Sequence, residues 1–187
     1  MISNKELKSN RGKIIKLLSD VEREGIDNLV GWIDTTDFYS APASSLEKYH
    51  GSFEGGLAKH SLLVYQELWK KVKNYNLDLP HDSAVLAGIC HDFCKIELYI
   101  PNYLKDKSLS KAKPYMREDT FPFGHGEKSV FLVQKHIELT DSEALMMRWH
   151  MGPFDKEWEN YSSKLEKNPE VLLIFHADAE VSKIYKI

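Results

Sequence analysis

With 187 residues, 42% of them hydrophobic and 28% charged, the chain has the size and composition of one ordinary globular domain with room for a sizeable core. A net charge of -3 and the lack of any long Lys/Arg tract exclude a surface that coats nucleic acid or anionic lipid at large. No apolar run reaches membrane-spanning length and the first residues carry no apolar signal core, so a soluble, cytoplasmic protein with no membrane partner is expected.

Residues 7–24 carry Ile14, Ile15, Leu17, Leu18 and Val21 at helical spacing and stop at Gly25, which predicts a first helix. A short second helix is expected over 26–33, followed by an ordered loop over 35–56, where Ser, Pro and Gly concentrate. The stripe Leu57, Leu63, Val64, Leu68 and Val72 predicts a strong helix over 57–75, with His60 in its first turn. Pro80 and His81-Asp82-Ser83 open the next helix, which runs through Val85, Leu86 and Ile89 to about residue 98. The stretch 101–124, with three prolines and the basic residues Lys105, Lys107, Lys111 and Lys113, reads as a long irregular loop of functional type. Helical patterning returns over 126–138. Thr140-Asp-Ser-Glu143 is a capping box that starts the helix leading to His150, and Pro169 opens a last helix through Phe175, Asp178 and Val181. No segment alternates as a strand should, so the fold class is all-α, a bundle of about seven helices.

Six residues carry the chemistry: His60, His91, Asp92, His125, His150 and Asp178. Each falls on or beside an apolar helical segment, where an unpaired imidazole or carboxylate would be costly. A shared divalent cation pairs them all at once. Mixed imidazole and carboxylate ligation suits manganese, iron, cobalt, zinc, nickel or magnesium alike. A second His-Asp dipeptide, His81-Asp82, reads as a helix start, and His136 and His176 fall outside the set. His50 is a loop residue or an outer support of the site. Cys90 and Cys94 lie too close for a disulfide within one helical turn and read as packing residues of a reducing compartment. Lys111, Lys113 and Arg117 are candidates to steer a phosphate, or else a solvated charged face. Tyr99, Tyr103, Tyr115, Phe121, Phe123, Trp149 and Phe154 are candidates to stack a base, or else core.

These residues resemble the HD superfamily of metal-dependent phosphohydrolases, whose signature is H…HD…D. The likeness spans about residues 38–183, with 1–35 packing on that core as N-terminal helices of one HD-type domain covering 1–187. Phe38-Tyr-Ser-Ala-Pro-Ala43 with Gly55-Gly-Leu-Ala-Lys-His60 is similar to the entry of the HD domain of bacterial 3′→5′ exoribonucleases. Gly88-Ile-Cys-His-Asp-Phe-Cys-Lys-Ile96 resembles the HD-x-x-K segment, and Gly124-His-Gly-Glu-Lys-Ser129 and Arg148-Trp-His-Met-Gly152 resemble small stand-alone HD hydrolases. The resemblance implies two ions. His60, His91, Asp92 and Asp178 would hold the first, and His125 and His150 the second, with Asp92 bridging. It implies that Lys95 contacts substrate phosphate or the attacking water, which makes Asp92 and Lys95 the catalytic pair. Cys94 stands where Gly is common. The implied activity is hydrolysis of a phosphomonoester or phosphodiester of a nucleotide-like substrate, with nucleic acid and a second copy of the chain as open partners. A nucleotide-binding regulatory module and a di-iron oxygenase share the ligand order and are the alternatives.

Overall fold

The computed structural model describes residues 2–163 and 165–185. Among these residues there are eight α-helices: α1 (Asn4–Ser19), α2 (Ile26–Asp34), α3 (Gly56–Asn74), α4 (His81–Cys90), α5 (His125–Gln134), α6 (Asp141–Trp149), α7 (Trp158–Ser162) and α8 (Pro169–Lys183). The all-α expectation holds, with one helix more than expected and one small sheet. Helix ends follow local chemistry. The Ser3 side chain accepts the Glu6 amide at 3.2 Å to start α1, and Thr140 with Glu143 forms the reciprocal capping box that starts α6.

Two expectations are corrected. The helix expected to run to about residue 98 stops at Cys90; His91 caps it, Asp92 turns out at φ -104° and ψ 19°, and a 3-10 turn, Phe93–Lys95, follows. Phe93 is fully buried against Phe38 and Trp32, and this packing takes the chain away from the helix axis. The stretch 101–124 is not wholly irregular. Strands β1 (Tyr99–Pro101) and β2 (Tyr115–Arg117) pair antiparallel, with Ile100 opposite Met116, and Tyr103 bridges to Leu109 beyond them. Three-residue strands are too short to display a period of two.

The core is built around α3, packed between α4 and α8. Leu57, Val64 and Leu68 of α3 meet the apolar body of α4 (Val85, Leu86, Ile89) and Val171 and Ile174 of α8, all buried. Met146 and Met147 of α6 close the far side. Two glycines set the approach of the paired helices. A Cβ on Gly88 of α4 would stand 2.5 Å from Tyr65 Cα of α3, and one on Gly126 of α5 would stand 2.1 Å from the Arg148 carbonyl oxygen of α6. These contacts bring His60 toward His91 and His125 toward His150.

One buried ion pair ties the N-terminal helices to this core. Arg23 donates both Nη atoms to Glu143 at 3.0 and 2.9 Å, and Ser83 Oγ and the Thr140 amide donate to the same carboxylate. Burial alone would raise the Glu143 carboxyl, but these donors outweigh it and hold it below the usual range. A depressed folded-state value stabilises the fold above the unfolded carboxyl pKa of about 4.3 and loses that stabilisation as pH falls through the folded value. Arg23→Met is therefore expected to cost about 2 kcal/mol, discounted because Arg23 is partly exposed. Glu143→Gln is expected to flatten the acid limb of stability against pH; both are checked by denaturant unfolding across pH. Gly126→Ala is expected to cost about 1–3 kcal/mol by forcing α5 off α6.

Candidate metal centre

Asp92 stands at the centre of the assembled site, 1% exposed, with each carboxylate oxygen facing a different group of donors. On the Oδ2 side, His60 Nε2 lies 3.4 Å and His91 Nε2 3.5 Å away, and the two imidazole nitrogens are 3.2 Å apart. Asp178 Oδ1, from α8, is 3.1 Å from His60 Nε2. On the Oδ1 side, His125 Nε2 is at 2.9 Å and His150 Nε2 at 3.6 Å. Lys95 Nζ donates to Oδ2 at 2.6 Å. Thus all six expected ligands and Lys95 converge, drawn from α3, the α4 terminus, α5, the α6 terminus and α8.

The donor chemistry fits a cation. His91 Nδ1 donates to the Gly88 carbonyl at 2.9 Å and His150 Nδ1 to the Met147 carbonyl at 2.7 Å, so in each ring Nε2 is left as a bare acceptor aimed at Asp92. Burial lowers the pKa of His91 and of His125, which keeps both rings neutral. Burial would also raise Asp92, but Lys95 and the surrounding imidazoles hold it well below the carboxylate range. The Nε2 atoms of His91 and His150 therefore face the Asp92 acceptor without a proton of their own. Burial would lower the pKa of His150, but Asp92 outweighs it and raises it. His150 Nε2 is buried and has no hydrogen-bond partner among the described residues. Metal–ligand bonds of ~2.1 Å place neighbouring ligand atoms roughly 3.0–3.5 Å apart, which is the range seen around Asp92. His60, His91 and Asp92 form one set of atoms close enough to hold an ion, and Asp92, Cys94 and His125 form another.

Three residues outside the expected set support the site. Cys94, read from sequence as packing alone, has Sγ 3.3 Å from His125 Nδ1 and 4.0 Å from Asp92 Oδ1. It gives the third ring the outer partner that main-chain carbonyls give the other two. Burial pushes its thiol up to about 12. Ser182 donates to Asp178 Oδ1 at 3.1 Å and lies 3.4 Å from His50 Nε2, whose ring packs 4.7 Å from that of His60. Burial pushes His50 down to about 3, so this chain of hydrogen bonds is neutral at its outer end. The four-residue spacing of Asp178 and Ser182 on one helix was the available sequence signal; His50, open in the sequence between a loop role and outer support, lies against His60 and Ser182.

The residues suggested for phosphate steering are dispersed. Lys111 lines a large cleft beside the centre, Lys113 is exposed, and Arg117 is held at 2.6 Å by Asp119. Of the aromatic candidates, Tyr99, Tyr103 and Tyr115 line that cleft. Phe121 and Phe123 cluster with Phe131, Trp149 stacks on Tyr161 beneath Arg148, and Phe154 is exposed.

Divalent metal is expected to raise the unfolding temperature of the purified protein, by an amount equivalent to about 2.7 kcal/mol at a concentration one hundred times the dissociation constant. Asp92→Asn is expected to abolish the rise. Ser182→Ala is expected to weaken metal affinity about ten-fold while leaving the metal-free unfolding temperature near that of the wild type, as read by calorimetric titration. No protein-family model, no curated protein and no solved structure matches this chain.

Proposed function

We propose that the protein is a metal-dependent phosphohydrolase that cleaves a phosphomonoester or phosphodiester of a small substrate. The observation that carries this reading is the division of one buried carboxylate between two donor groups, with a buried lysine held against it. His60, His91, Asp92 and Asp178 would hold one divalent ion, and Asp92, His125 and His150 a second. Bound there, the ions supply Lewis acidity and a water acidified toward neutral pH.

The chain's own residues do the rest. Asp92, unable to leave its buried position, fixes the spacing of the two halves. Burial opposes the charge on Lys95, but Asp92 outweighs it and raises the ammonium pKa, so Lys95 stays protonated throughout the physiological range. A protonated lysine in a buried site offsets negative charge that grows on phosphoryl oxygens during displacement. A purely structural staple has no use for such a group. The His91 and His150 rings, locked by main-chain acceptors, keep their Nε2 atoms aimed without reorganisation. His125, on the open side of the centre, is the one ligand ring with substantial exposure, 34% of its side chain, and marks the face from which substrate enters.

Purified protein supplied with manganese, cobalt, zinc, nickel or magnesium is expected to hydrolyse p-nitrophenyl phosphate, its bis ester or members of a nucleotide panel. Asp92→Asn is expected to lose activity by about 10³-fold or more, and Lys95→Met to lower kcat by about 10²-fold with metal content retained. Activity in Asp92→Asn equal to the wild type on every substrate would overturn the proposal. Iron retained by protein purified without oxygen, with no hydrolysis of any phosphoester, would favour the oxygenase reading instead.

A further inference from the structure

The cleft beside the centre has a volume of 1180 Å³ and lies between the 37–54 segment and the arm that carries β1 and β2. Its two walls are stitched by main-chain bonds, Glu47 N to Ala112 O at 3.2 Å and Tyr115 N to Ser45 O at 3.4 Å, so it is a built feature of the fold. The segment that follows Lys95 joins it to the metal centre: Tyr99 lines the cleft, and the Glu97 amide donates to Asp37 of the cleft wall at 2.8 Å.

The lining has a distinct chemistry. Tyr49, Phe53, Tyr99, Tyr103 and Tyr115 supply aromatic surface; Tyr103 is 66% exposed, and the Tyr49 ring has the Lys48 ammonium 5.1 Å from its centroid. Asp37, Glu47 and Glu54 supply three carboxylates against the single cation Lys111. Tyr115, Glu54 and Tyr103 all line this one cleft. Several carboxylates with buried or half-buried surroundings elsewhere are matched, Glu143 by Arg23, Asp155 by Arg148 and Asp119 by Arg117 and Lys128, while other surface carboxylates are unpaired like those of the cleft. Among the described residues, Asp37, Glu47 and Glu54 have no ion-pair partner. Asp37 is nonetheless half-buried and receives only the Glu97 amide at 2.8 Å. Ser52 Oγ, at the same wall, is buried without a hydrogen-bond partner among the described residues.

Aromatic faces beside uncompensated carboxylates are the recognition chemistry of an organic cation. Phosphate is repelled by the same lining, which disfavours a polynucleotide or a polyphosphate tail running through it. We propose that the cleft binds the ammonium end of the substrate, so that the molecule presented to Asp92 and Lys95 is a zwitterionic phosphoester with its phosphate at the metal centre. This inference rests on the phosphohydrolase reading for the orientation of the substrate, but not for the cation site itself.

Calorimetric titration tests the two separately. Phosphocholine and phosphoethanolamine, which carry an ammonium group, are compared with glycerol 3-phosphate, which does not, in manganese-loaded protein; choline is titrated into metal-free protein. The ammonium-bearing esters are expected to bind about ten-fold more tightly than glycerol 3-phosphate. Tyr103→Ala and Glu54→Gln, both at exposed positions, are each expected to close that gap. A gap within about two-fold in the wild type, or one that survives both substitutions, would overturn the cation site whatever the enzyme hydrolyses. Choline binding that depends on Tyr103, in a protein that hydrolyses none of the three esters with any metal, would support the cleft and overturn the hydrolytic reading.

Discussion

The Asp92 carboxylate is the constraint on which the rest of the molecule depends. A buried carboxylate is tolerated only when paired, and this one is paired on both oxygens and by Lys95. Each partner sits on a different element, so the arrangement requires α3, α5, α6 and α8 to meet at one point around the α4 terminus. The two glycine contacts, Gly88 on Tyr65 and Gly126 on the Arg148 carbonyl, are the steric permission for that meeting. The helix break after Cys90 has the same origin. A continuous helix through residue 95 would carry Asp92 around with the helical turn, whereas the observed break leaves its two oxygens facing two donor groups.

Around this point the molecule separates two kinds of electrostatics. The centre gathers four imidazoles, a lysine and two carboxylates around space that a cation fits. The cleft next to it gathers carboxylates and tyrosines with almost no positive charge. The segment that follows Lys95 joins them. A phosphoester placed across this boundary has only one orientation that avoids like charges, and that asymmetry arises from side chains on two loops stitched by main-chain hydrogen bonds.

Much of this was legible in the chain. Helical periodicity located α2, α3, α5, α6 and α8 closely, because amphipathic stripes are a local property, but it overran the ends of α1 and α4, which stop at Ser19 and Cys90. The six candidate ligands stood out because His and Asp on apolar segments need a partner, and all six converge. Cys94 is buried, as its packing reading expects, and only the approach of α5 adds His125 Nδ1 against its sulfur. The β1–β2 pair was invisible because each strand has three residues and its partner lies beyond a long loop. The phosphate-steering role suggested for Lys111, Lys113 and Arg117 rested on charge alone; their surroundings turn out to be a carboxylate-lined cleft, solvent, and Asp119.

What the sequence determined by itself is the helical class, the approximate position of the long helices and the inventory of groups able to bind a metal, since each follows from residue type and local spacing. Only the tertiary structure decided how those groups are shared. The division of Asp92 between two donor sets, the outer support from Ser182 and His50, and the acidic aromatic cleft all join residues distant in the chain. Such contacts depend on how closely packed helices and stitched loops approach, a distance that no local pattern encodes.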